Sequence, residues 1–167
     1  MRMIDVRNAL ATAIMFVTAA GPTHAAAQAA PPPDRRDFAS AREVQAQVAA
    51  MLAGMKAGQG FAWRPLVEDA SHSVAIEIWK KPGRPAVHPA EAEYAVVLEG
   101  AGTLISGGTL IAPATRREGL VEGERIEGGA TRALRKGDVL LIPAGVPHWF
   151  GINGERLVLL GTKLPAR

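Results

Sequence analysis

The sequence predicts an all-β fold, a small antiparallel β-barrel with one N-terminal helix. Three observations predict it. From Phe61 onward apolar and polar residues alternate with a period of two, as half-buried strands require. Glycine- and proline-bearing turns recur between these short runs, and the 167 residues include 18 Gly and 12 Pro. One stretch before Phe61 instead repeats its apolar residues at steps of three and four. At 48% hydrophobic and 21% charged, the chain has the balance of a single globular domain.

Taken in order, the first element is a leader. Arg2 and Arg7 precede or open a run at 8–21 that is almost wholly apolar or small, and Thr23-His24-Ala25 follows with small residues around a cleavage point. This is the layout of a secretory signal peptide over residues 1–25. The run is shorter than the roughly 20 residues of a membrane span. Cleavage is expected after Ala25, with Ala29 as a second site, giving a periplasmic or secreted protein without a stable membrane anchor. Losing residues 1–25 removes Arg2, Asp5 and Arg7 and leaves 17 basic and 15 acidic residues.

Residues 26–38, with Pro31-Pro32-Pro33, read as a flexible extended spacer. A helix is expected over 39–60, capped by Ser40, its turns ending by Lys56 and closed off by Gly58 and Gly60. Val44, Val48, Met51, Leu52 and Met55 give it one apolar stripe to pack on the main fold. The barrel domain is expected over 61–167. Val74, Ile76 and Ile78 alternate with Ala75, Glu77 and Trp79, and further strands read near 85–88, 93–98, 102–106, 109–112, 131–135, 138–142, 148–152 and 156–163. Turn signals fall between them, including Glu99-Gly100, Gly107-Gly108, Lys136-Gly137 and Asn153-Gly154. Residues 113–129 are the least regular and read as a long loop. A sheet of this kind must close or cover its edges, and a small jelly-roll does so.

Composition excludes several functions. The net charge of +3 is small and its basic residues are dispersed, so nucleic acid is not an expected partner. With no Cys there is no disulfide, thiolate metal site or cysteine nucleophile. No Ser-His-Asp order or phosphate-binding glycine loop is recognisable. A metal, if held, must be held by His, carboxylate and water.

Two segments carry candidate chemistry. In His88-Pro-Ala-Glu-Ala-Glu93, one strand ends at His88 and the next begins near Glu93, so a short loop can bring both side chains to one face. In Gly137-Asp-Val-Leu-Leu-Ile-Pro143-Ala-Gly145-Val-Pro-His148, a strand runs into a turn stiffened by two prolines that presents His148. Two histidines and a carboxylate converging from different strands suit Zn, Mn, Fe or Ni, with positions left open for water or substrate. The metal-free alternative has His88 and Glu93 hydrogen-bonded and His148 as a satisfied buried imidazole.

These segments resemble the two motifs of the cupin superfamily, G-x5-H-x-H-x3–4-E-x6-G and G-x5-P-x-G-x2-H-x3-N. Gly137, Pro143, Gly145 and His148 match the second motif, whose final Asn is displaced by one to Asn153. His88, Glu93 and Gly100 match the first, but Ala86 stands where its first histidine is expected and Lys80 where its opening Gly falls. The resemblance covers about 61–164 and implies a cupin jelly-roll in which His88, Glu93 and His148 hold a divalent metal. It implies metal-dependent chemistry on a small-molecule metabolite, of oxygenase or isomerase type. A non-catalytic binding module and a purely structural, dimer-forming barrel are the other readings. If His88 and Glu93 face the interior, so should Ala86, Ala95 and Val97. Glu91 is a poorer candidate than Glu93, and His72 is expected at the surface or rim. Trp79, Tyr94, Trp149 and Phe150 could line a pocket. Arg116, Arg117, Arg125, Arg132 and Arg135 could meet an anion, although surface charge explains most such residues.

Overall fold

The computed structural model describes residues 37–166. The expected leader and most of the spacer lie outside these residues. Among them, one helix and eleven strands follow in order, and every strand pairing is antiparallel. No helix among the described residues is long and apolar enough to cross a membrane.

Helix α1 spans Ala41–Gly54 and starts on a capping box. The Ser40 hydroxyl accepts from the Glu43 backbone N–H at 3.3 Å, while Glu43 Oε2 accepts from the Ser40 N–H at 2.8 Å. Two of the four free donors of the first turn are thereby satisfied. The helix ends a turn before the expected Gly58, because Met55 already adopts an extended backbone. All five residues of the expected stripe pack: Val48 and Met51 are buried, with Val44, Leu52 and Met55 against the same cluster.

The strands are β1 (Phe61–Glu68), β2 (Ser73–Trp79), β3 (Ala86–Val87), β4 (Glu91–Ser106), β5 (Thr109–Ile111), β6 (Ala114–Arg117), β7 (Leu120–Glu122), β8 (Arg125–Glu127), β9 (Ala130–Arg135), β10 (Val139–Ile142) and β11 (His148–Pro165). The main sheet runs β1-β2-β11-β3-β7-β6; β4 also pairs with β11 and carries β10 and β9 on its other edge. A separate ribbon joins β5 to β8.

Two expectations are corrected here. Residues 113–129 are not one loop but carry β6, β7 and β8. Glu99-Gly100 and Asn153-Gly154 are not chain-reversing turns; they are irregularities inside the continuous strands β4 and β11. Gly100 has φ +78°, and a Cβ there would lie 2.0 Å from the Arg156 carbonyl oxygen, so only glycine fits. Opposite it, β11 places residues 153–156 against Ala101 alone. The face turned inward changes parity across this defect. Glu93, Ala95 and Val97 are buried on the near side of β4, and Leu104 beyond it; on β11, His148 and Phe150 give way to Leu157 and Leu159.

The core is correspondingly double. Inside the curled sheet, Ala95, Val97, Leu104, Leu134, Leu140, Ile142, Phe150, Leu157 and Leu159 form one cluster. Outside it, Ile76, Ile78 and Val158 meet Val48 and Met51 of α1.

Candidate metal centre

Each member of the predicted triad is set by a different strand context. Glu93 lies near the start of β4, between Ile142 of β10 and Lys163 of β11 in register. Strand alternation sends it inward with Ala95, and it is buried. His148 opens β11 directly opposite Ala86 of β3. His88 follows β3, and the turn ahead of His148 is tied to it by a 2.8 Å hydrogen bond from the Gly145 N–H to the His88 carbonyl.

The three side chains converge. His148 Nε2 lies 3.2 Å from Glu93 Oε2, and His88 Nε2 lies 3.6 Å from the same oxygen. The two imidazoles stack with centroids 5.5 Å apart. One ligand atom from each residue falls within 4.8 Å of the other two.

The outer nitrogens are already engaged. His88 Nδ1 is 3.1 Å from the Gly119 carbonyl oxygen, and His148 Nδ1 is 3.1 Å from that of Val146. A carbonyl can only accept, so each Nδ1 donates and each ring turns its Nε2 toward Glu93. Nε2 is then the atom open to a proton or a metal, the orientation found for metal-ligating histidines. Gly119 lies between β6 and β7, so the segment read as a loop supplies the carbonyl that orients His88.

The surrounding charges favour an ionised carboxylate. Burial opposes ionisation of Glu93, but its hydrogen bond with His148 and the Lys163 ammonium prevail and hold the carboxyl at about 2. Lys163 Nζ donates directly to Glu93 Oε2. Burial, with Lys163 adding to it, pushes the His88 imidazole below its ordinary value, which favours the neutral form a ligand needs. Glu77 goes the other way: burial and the Glu93 charge raise it to about 7, and it accepts from Trp79 Nε1 at 3.1 Å. Lys163 and Glu77 carry no motif that marks them as part of the site. Their only signal is parity, since Glu77 alternates inward with Ala75, and Lys163 with Leu157, Leu159 and Gly161.

A cavity of about 590 Å³ opens on the triad, walled by Trp79, Trp149 and Phe150, with Ala86 among its lining residues. Ala86, Ala95 and Val97 thus accompany the triad as expected. Tyr94 does not join the pocket, because Glu93 faces inward and its neighbour must face out, where it is exposed. Glu91 and His72 line an adjoining cavity of about 300 Å³ but stay outside the triad. His72 is exposed and pairs with Asp69 at 3.4 Å. Of the five arginines considered, Arg117 lines both of these cavities, whereas Arg125 pairs with Glu127 and Arg132 donates to Ser106.

Two imidazole nitrogens and one carboxylate oxygen on a common centre fit a first-row divalent metal with open coordination positions. When bound, such an ion would supply Lewis acidity toward a coordinated oxygen.

A curled antiparallel sheet with a His-Glu-His cluster on its inner side defines the class, and the family comparison agrees. The family model described as cupin matches residues 83–163. This match identifies residues 83–163 as a cupin domain. No curated protein matches it. Similar solved structures include a hydroquinone 1,2-dioxygenase determined with Cd2+ and 4-hydroxybenzonitrile, at 21% identity and TM-score 0.48, covering 61% of this chain. This chain spans 63% of that protein's length. KdgF from Halomonas sp. aligns at 16% identity and TM-score 0.46, covering 68% of this chain and 87% of its own. An RmlC-like cupin from Shewanella frigidimarina aligns at 18% identity and TM-score 0.47, covering 67% and 82% respectively.

Proposed function

We propose that this cupin is an exported protein that holds one divalent metal through His88, Glu93 and His148 and acts on a small-molecule metabolite at the open coordination positions. The observation that carries the reading is the hydrogen bonding of both histidines. Each Nδ1 is fixed on a backbone carbonyl, so each Nε2 is aimed at Glu93 before any ligand arrives. The aromatic wall beside the triad suits an organic molecule whose oxygen reaches the metal.

Elemental analysis of protein purified without a metal-capturing tag or chelator tests the metal. Stoichiometric Zn, Mn, Fe or Ni is expected, with sharp loss of binding in His88→Ala, Glu93→Ala and His148→Ala while the fold survives. Wild-type metal content in all three variants would sink the assignment. Turnover of candidate metabolites under oxygen, against binding without turnover, separates an enzyme from a capture module. For export, the intact mass of the periplasmic fraction should lack residues 1–25, or 1–29 for the second site.

A further inference from the structure

Lys163 engages the carboxylate that a metal would need. Three nitrogens converge on Glu93 Oε2: Nε2 of His148, Nε2 of His88 and Nζ of Lys163. The first two are aimed by backbone carbonyls. The third comes from the residue paired directly opposite Glu93 on β11, and its side chain keeps 32% exposure. A divalent ion on the histidines repels an ammonium touching the same carboxylate, which disfavours holding both cations there. Lys163 can leave, because its flexible stem carries three rotatable donors and reaches water.

Its destination is set by the neighbouring charges. Lys163 and Arg117 line both the 590 Å³ and the 300 Å³ cavities. Arg117 makes only a long contact to the Glu118 carbonyl, at 3.4 Å, and has no carboxylate partner among the described residues. Arg84 and Glu122, the other opposite charges at the larger cavity, lie 3.9 Å apart and offset each other. With a divalent ion in place, the metal, Lys163 and Arg117 outweigh Glu93 and Glu77 even when both carboxylates are ionised. Such a cavity attracts an anion, and its aromatic wall accepts an apolar body.

We propose that Lys163 is a displaceable internal cation. It neutralises Glu93 until a divalent metal takes that carboxylate, and the released ammonium then joins Arg117 in holding the carboxylate of a small organic acid. This rests on the metal-binding reading above and names the ligand class for the same site.

The test titrates the full chain with Zn against a chelator, comparing wild type, Lys163→Met and Lys163→Arg, with folding followed by circular dichroism. Removing a charge-assisted competitor should tighten Zn binding about ten-fold or more in Lys163→Met, and Lys163→Arg should stay near wild type. Calorimetry of the Zn-loaded proteins then uses benzoate as probe. Wild type should bind it, Lys163→Met and Arg117→Met should bind it at least several-fold more weakly, and neutral benzyl alcohol should not bind. A folded Lys163→Met with unchanged or weaker Zn affinity overturns the displacement. Benzoate binding that is absent in wild type, or equal in all three proteins, overturns the anion role. Zn bound by neither wild type nor Lys163→Met would instead defeat the metal reading itself.

Discussion

Strand β2 divides two environments that follow different rules. Its even residues, Ile76 and Ile78, are fully buried beneath α1 together with Val158, and every member of that cluster is apolar. Its odd side chains, Glu77 and Trp79, turn to the cavity. Strand β11 serves both sides, giving Val158 to the helix and Leu157 and Leu159 to the interior. The interior also holds Glu93 and His148, the buried polar residues of the described chain. Under the helix, burial of apolar area dominates, with one hydrogen bond from Gln47 Nε2 to the Pro65 carbonyl at 2.8 Å. Inside the barrel, apolar residues form a floor on which desolvated charges stand, and those charges are tolerable only because they pair. The candidate chemistry is therefore segregated from the apolar packing under the helix, across one sheet and a few ångströms of backbone.

That segregation can be broken or sharpened by experiment. The largest effect is expected under the helix: Ile76→Ala should destabilise by about 2–5 kcal/mol in urea denaturation. Zn affinity of the folded variant should stay at the wild-type value; a parallel fall would show that the two sides are coupled.

Next comes pH, which should act on the interior alone. In metal-free protein Glu93 is depressed to about 2, so the stability it contributes is present above the unfolded value near 4.5 and is lost as pH falls toward 2. Glu77, raised to about 7, has the opposite slope: the unfolded carboxyl ionises from about 4.5 while the folded one stays protonated, so stability falls from there to about 7. Each limb amounts to roughly a few kcal/mol, placing the pair's optimum in the mildly acidic range. Denaturation across this range should show both limbs, and Glu77→Gln should flatten the upper one. An unchanged upper limb in that variant would remove Glu77 from the account.

A smaller gain tests the site geometry. Ala86 lies opposite His148 and lines the same cavity, so Ala86→His should add a ligand and tighten Zn binding roughly several-fold if its imidazole comes to about 2.0–2.1 Å from the metal. Overpacking should take about 1–3 kcal/mol from stability. A folded variant with unchanged affinity in chelator competition would show that position 86 misses the centre. The smallest effect returns to the helix, where Ser40→Ala removes the cap and should lower stability by about 1 kcal/mol without touching metal affinity.

How much of this was legible in the sequence depends on how local each signal is. The α1 stripe, the Ser40 cap and the β2 alternation are local periodicities, and all three are present in the structure. His88, Glu93 and His148 were found because they stand at fixed offsets from glycines and prolines, and the fold brings them together. Gly100 and Gly154 misled, since a glycine with positive φ serves a turn and a bulge equally well, and only the partner strand decides which forms. Residues 113–129 misled differently. Their strands are three or four residues long and exposed or half-buried, too short for a period to emerge. Lys163 was invisible for a third reason: it meets Glu93 across 70 residues of chain, through a pairing that no local pattern encodes.

The irregularity in β11 has a consequence for how the protein tolerates change. Four residues, 153–156, stand where the partner strand offers Ala101 alone, and they are pinned at the margins by Asn153 to the Gly102 carbonyl and by Arg156 to Glu99. The half of β11 bearing His148 and the half bearing Lys163 are thus aligned with β4 independently of each other. The excursion works as an expansion joint: its length can vary by a residue while the spans on either side stay in frame, so His148 and Lys163 still meet at Glu93.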